Sequence, residues 1–179
     1  YVPEFLEDII EKNLNCIHFI KTPNDCLPLF NGANSLKLSQ TKKYLENFKS
    51  DNKKNNYGGL FKIKHKNHFI LIDIDKPPQK KFSKSYQSGP LSFEYFLDGV
   101  KIITNSGFGN HISKKAELLS RLTACQSTLT INETSITKFE KNEMINKVFG
   151  NSIQNSFKSF EFSSKNESDI IGCSASNNG

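Results

Sequence analysis

The stretch LSFEYFLDGVKIITNSG (residues 91–107) decides the fold. Side chains alternate in character from Leu91 to Phe96, and Asp98-Gly99 then supplies two positions that tolerate positive φ, the chemistry of a two-residue hairpin turn. Val100 to Ile103 resumes the apolar run. A period of two belongs to strands and not to helices, so two antiparallel strands are predicted. Immediately upstream, LFKIKHKNHFILIDID (60–75) reads as a second hairpin. Its strands are Leu60–Lys64 and Phe69–Asp73, its turn lies near Lys66-Asn67, and Pro77-Pro78 stops it. The basic loop KPPQKKFSKS (76–85) leads into the first quoted strand. Downstream, SKKAELLSRLTA (113–124) has the composition of a short helix, while STLTINETSITKFE (127–140) and SFKSFEFSSK (156–165) return to alternation, and Ile170-Ile171 looks like strand. Short strands separated by turns predict a mainly β chain: an antiparallel β-sandwich, supersandwich-like, preceded by a short helical segment.

The N-terminal part has a different period. After Pro3, EFLEDIIEKNL places Phe5, Leu6, Ile9, Ile10 and Leu14 on one helical face, with acidic residues in the first turn. The loop KTPNDCLPLFNGANS (21–35) follows, then a second helical stripe in SQTKKYLENFKS (39–50). The polar DNKKNNYGG (51–59) marks a boundary. The expected division is 1–56, the end of a helical domain with its linker, and 57–179, the sandwich, with both chain ends read as cuts.

Apolar residues make up 36% of the 179 residues and charged residues 23%, which suits a folded domain. No apolar run approaches the ~20 residues of a membrane span. The formal charge of +6 invites a polyanion. The basic residues are nearly all Lys, however, with Arg121 the single arginine. Arginine is the preferred fork for phosphate and base edges, so nucleic acid is not the expected partner. Cys16, Cys26, Cys125 and Cys173 form no metal-binding spacing, and free, mostly buried thiols are expected, with a Cys16–Cys26 bridge as the alternative. The sequons at Asn132 and Asn166 are read as chance matches in an Asn-rich chain.

The order of these signals resembles the β-sheet domain of the heparinase II/III-like polysaccharide lyases. The resemblance runs from Gly58 to Leu129: a hairpin ending LIDID before Pro-Pro, a turn into GPLSFEYF, the strand KIITNSG, a short helix, and TACQSTLTINETS. LPLFNG (27–32) resembles the family's link between helical domain and sheet. The resemblance implies a two-part enzyme, a helical toroid and a β-sandwich holding acidic polysaccharide between them. Such enzymes remove the proton beside a uronate carboxylate and expel the 4-linked sugar. It also implies a periplasmic or extracellular setting.

In that family the sheet domain brings a catalytic His, followed by a second His, an acidic residue and a late His that can bind zinc. Here these places fall on Ser85, Gln87, Asn105 and Gln126. The three zinc places hold neutral amides, so no metal and no other cofactor is expected. A zinc-free, hydrogen-bonded cluster of Gln87, Asn105 and Gln126 is expected instead. The resemblance makes Ser85 a candidate catalytic residue, with His111 as a replacement for the lost imidazole or else a loop residue. Tyr86, Gln87, Asn105, Gln126 and Lys84 are the candidate substrate-binding residues. Tyr86 and Tyr95 are read either as sugar contacts or as packing, and His65 and His68 as sugar or metal contacts or as exposed hairpin polarity. The Lys76, Lys80, Lys81 and Lys84 loop either attracts a polyanion or is simply solvated. Asp73 and Asp75 are read as turn residues. The expected partners are acidic polysaccharide and the helical domain of the same protein, with self-pairing through exposed apolar surface. The alternative to a lyase is a glycan-binding module that has lost catalysis.

Overall fold

The computed structural model describes residues 3–34, 36–40, 55–158, 160–167 and 170–177. Helix α1 (Glu4–Ile20) leads. Strands β1 (Asn56–Tyr57), β2 (Leu60–His65), β3 (His68–Asp73), β4 (Phe93–Leu97) and β5 (Val100–Ile103) form one five-stranded antiparallel sheet in chain order. Helix α2 (Lys114–Leu119), β6 (Lys138–Phe139), helix α3 (Glu143–Phe149) and β7 (Ile153–Asn155) follow, with β6 paired to β7. A long hairpin, β8 (Phe160–Glu167) and β9 (Ile170–Asn177), closes the order. The chain is therefore mainly β in antiparallel sheets with one long N-terminal helix, as its periodicity predicts.

Both hairpins form where the sequence places them. β2 and β3 pair from Leu60↔Asp73 to His65↔His68, with Lys66 at φ 51° in the turn. β4 and β5 turn at Asp98 (φ 51°) and Gly99 (φ 77°), the left-handed pair that a two-residue hairpin requires. Phe69, Leu71 and Phe96 point to one face, where Phe19 and Phe30 from the N-terminal segment meet them in a single core. Phe69 and Phe96 pack edge to face with ring centres 5.7 Å apart. Lys62 ties helix to sheet: its Nζ donates to Phe19 O at 3.1 Å, at the negative end of α1, and lies over the Phe19 ring. Phe61 packs on Phe162 of β8 at 4.9 Å, linking the five-stranded sheet to the last hairpin.

Three readings need correction. The stripe Phe5, Leu6, Ile9 and Ile10 does not meet the core; all four side chains are exposed, and α1 reaches the core by its last turn, through Phe19, with the Tyr57 hydroxyl donating to Lys12 O further up the helix. Residues 127–140 are mostly irregular. Their alternating hydroxyls bond to main chain instead of lining a strand: Thr128 Oγ1 donates to Pro90 O, and Ser127 Oγ to Phe93 O. The four thiols are free as expected, but only Cys26 is buried. Helix α3, capped by the Asn142 side chain, has no counterpart in the sequence reading. Most of the second helical stripe, residues 41–50, lies outside the described residues.

Candidate functional site

The turn from Ser83 to Gln87 is fixed from below by Arg121, which is completely buried. Arg121 Nε donates to Tyr86 O at 2.9 Å and Nη2 to Ser83 O at 2.8 Å, while Nη1 donates to Asn151 O. Its guanidinium lies 3.9 Å from the centre of the Phe139 ring. Burial pulls its pKa down to about 10, partly offset by Glu117, so it stays a cation. A planar five-donor fork suits three divergent carbonyls, which an ammonium does not. Ser83 secures the same turn, accepting from Ile153 N and donating to Lys80 O.

The residues this turn presents go to different places. Gln87 is buried with both ends of its amide in use: Oε1 accepts from Gly32 N at 3.0 Å, and Nε2 donates to Gly107 O and Ser120 O at 2.9 and 2.8 Å. Gln126 Nε2 reaches the same Ser120 carbonyl at 2.7 Å. Asn105 Oδ1 accepts from Ser127 N and Oγ, while its buried Nδ2 has no partner among the described residues. Gln87 thus binds main chain from the N-terminal segment, the loop after β5 and the residue after α2, Gln126 shares the last of these, and Asn105 binds Ser127.

The zinc that the resemblance implies does not fit this donor set. The Gln87 and Gln126 Nε2 groups converge as N–H donors on one carbonyl, and Asn105 adds an unsatisfied N–H. A divalent cation needs lone pairs there. Among the described residues, no three His, Cys, Asp or Glu side chains are grouped to hold a metal ion.

Ser85 and Tyr86 face a cavity of about 410 Å³ between the turn, the N-terminal segment and the end of β3. Leu27, Pro28, Phe30, Leu60 and Phe82 supply apolar wall; Asn31, Asp73, Asp75, Lys76, Ser85 and Tyr86 supply the polar groups. Gly32 approaches Ser85 so closely, at φ 93°, that a Cβ there would lie 2.6 Å from the Ser85 Cβ. Tyr86 is buried, with only 4% of its surface exposed. Burial and the nearby Asp73 and Asp75 raise its pKa, so its hydroxyl keeps its proton.

Asp73 is the residue that sequence reading underestimated. It does hold a turn, accepting from Asp75 N at 3.2 Å, but it is only 6% exposed and also accepts from Asn31 Nδ2 at 3.1 Å. Burial raises its pKa to about 6; Asp75 adds to the rise, and the bonds from the Asp75 N–H and Asn31 oppose it. The signal was present, because Phe69, Leu71 and Asp73 share one face of β3 and the first two are core. Arg121 had no such signal beyond being the only arginine.

Other candidates lie elsewhere. His111 is exposed in a short turn and is not part of the cavity wall. Lys84 lines a separate open groove with Lys114 and Lys147. His68 and Tyr95 share a hydrogen bond of 2.8 Å on the sheet, with parallel rings.

Residues 49–179 match the family described as heparinase II/III-like, C-terminal. No curated protein matches. Among solved structures, the chain is similar to a mutant of heparan sulfate lyase HepC from Pedobacter heparinus, with 17% identity and a TM-score of 0.60, over 78% of this chain and 27% of that one. A heparinase III structure aligns over 97% of this chain and 33% of its own, at 15% identity and a TM-score of 0.59. Another heparinase III gene product aligns over 77% of this chain and 26% of its own, at 15% identity and a TM-score of 0.62. These identities establish likeness of fold, and the chain spans a third or less of those proteins' length.

Proposed function

Because the chain belongs to the heparinase II/III-like family, as a C-terminal β domain of it, we propose that it forms the sheet-side wall of a cleft for acidic, uronate-containing polysaccharide. On this reading it holds the polymer without contributing a catalytic imidazole. The observation that carries it is the cavity between the N-terminal segment and the Ser85–Tyr86 turn, which combines apolar wall with a few convergent polar groups. Ser85 stands where the family resemblance places the catalytic His, and the only His beyond His68, His111, is not in that wall. A serine hydroxyl is itself a poor proton acceptor at neutral pH.

Affinity electrophoresis in gels carrying heparin, alginate, pectate, a neutral glucan or DNA tests this at two salt concentrations. Selective retardation by one uronate polymer is expected. Equal retardation by every polyanion, erased by salt, would reduce the interaction to lysine-driven adhesion and sink the reading.

One observation favours catalysis by the full-length protein: Tyr86 and Asp73, two groups able to carry protons, share the cavity with Ser85. β-Elimination requires a carboxylate neutraliser, a base for the carbon acid and an acid for the leaving oxygen. Unsaturated uronate released by full-length protein would replace binding with lyase activity as the conclusion; intact polymer after binding would keep it.

A further inference from the structure

We propose that Asp73 is a specificity-determining residue of this cavity: as a carboxylate it excludes an anionic sugar unit and admits a neutral one, and only in its neutral form does it accept a uronate. The inference rests on the glycan-binding reading above and adds to it which unit of the acidic polymer the cavity takes: near neutral pH a neutral unit, with the uronate units lying outside the cavity.

The groups facing the cavity decide the sign. Asp73 comes from the end of β3, Asp75 and Lys76 from the loop after it, Ser85 and Tyr86 from the turn, and Asn31 from the N-terminal segment. With both carboxyls ionised, two negative charges face one ammonium; with Asp73 protonated, the count is one of each. Tyr86 keeps its proton and leaves the count unchanged. Asp73 is buried, so its charge is weakly screened and acts on a ligand a few ångströms away. A uronate carboxyl entering beside it meets repulsion, whereas a sugar bearing only hydroxyls meets hydrogen-bond acceptors. Burial, with the Asp75 charge adding to it, places the Asp73 titration in a mildly acidic range where an ordinary uronate stays ionised.

The test measures binding of oligogalacturonate and of its methyl ester, the same sugar without charge, to full-length protein between pH 5 and 7.5. The proposal expects affinity for the acid to rise about tenfold as pH falls, from loss of one nearby like charge, and affinity for the ester to stay level. Asp73→Asn should bind the acid at pH 7.5 as wild type does at pH 5, with no further pH dependence. Asp75→Asn, which removes a charge that raises the Asp73 pKa, should move the midpoint to lower pH and stands in if the first variant fails to fold. Unchanged pH dependence in both variants would place the effect outside this cavity and overturn the proposal while leaving the glycan-binding reading intact. Failure of both sugars to bind at any pH would overturn the proposal, while the gel assay above decides the glycan-binding reading separately.

Discussion

Replacing Asp73 by Asn should make the protein progressively more stable than wild type as pH rises. The carboxyl has a folded pKa of about 6 against an ordinary 3.8. A raised pKa means that the folded chain holds the proton more tightly than the unfolded chain. The associated stability is complete below 3.8 and lost as pH climbs through 6. Two pKa units correspond to about 3 kcal/mol, incurred by wild type on ionising a carboxylate in a buried site. Asn cannot ionise and avoids that cost. Its amide also matches the site imperfectly, since the Asp75 N–H donates to one Asp73 oxygen and Asn31 Nδ2 to the other, so one amide end would set donor against donor. That mismatch is the same at every pH, which makes the change across pH the informative quantity. Urea unfolding of both proteins from pH 4 to 8 should therefore show the variant gaining about 2.5 kcal/mol relative to wild type over the range, the remainder falling below pH 4. A pH-independent difference would mean that Asp73 titrates normally. A variant that loses ground as pH rises would mean that the hydrogen bonds from Asn31 and Asp75 outweigh desolvation, and the electrostatic basis of the cavity proposal would collapse.

Other perturbations probe the frame around that carboxyl. Gln87→Ala removes three hydrogen bonds from buried main chain and should cost about 2–4 kcal/mol; a loss under about 0.5 kcal/mol in chemical unfolding would show that water replaces the amide freely. Arg121→Lys keeps the charge but cannot reach Tyr86 O, Ser83 O and Asn151 O together, so a loss of about 2–4 kcal/mol is expected, and an unchanged melting temperature would contradict the clamp. Zinc or a chelator should leave the melting temperature where it is, because Gln87, Gln126 and Asn105 turn N–H groups, not lone pairs, toward one another's surroundings; a stoichiometric shift on adding zinc would reverse that. The exposed Phe5, at 62%, and Ile10, at 53%, sit on an α1 face that no other part of the described chain covers. Sedimentation should detect self-association that Phe5→Lys with Ile10→Lys reduces, and a monomer at all concentrations would rule it out.

How far the sequence could be read depended on which interactions have a local signature. The hairpins at 60–73 and 93–103 were legible because alternation and the Asp98-Gly99 pair are short-range facts about adjacent residues. The alternation in 127–140 misled because a hydroxyl row has the same period whether it lines a strand of its own or bonds backward to main-chain carbonyls, as Ser127 and Thr128 do. The site divides in the same way. The turn at Ser85 could be located from the strand it precedes, but its stability comes from Arg121, 36 residues away from Ser85 in the chain, reaching carbonyls that carry no side-chain identity. No pattern of residue types records an acceptor on the main chain. Asp73 shows the reverse case: as the third inward position after Phe69 and Leu71 it was marked for burial, and reading it only as a residue before Pro77 set its local turn above its face. A polar residue on the buried face of a strand forces a choice between neutralisation and a partner. Here Asn31 and Asp75 N–H supply only part of the compensation, and the remainder appears as a carboxyl that titrates where an exposed one would not.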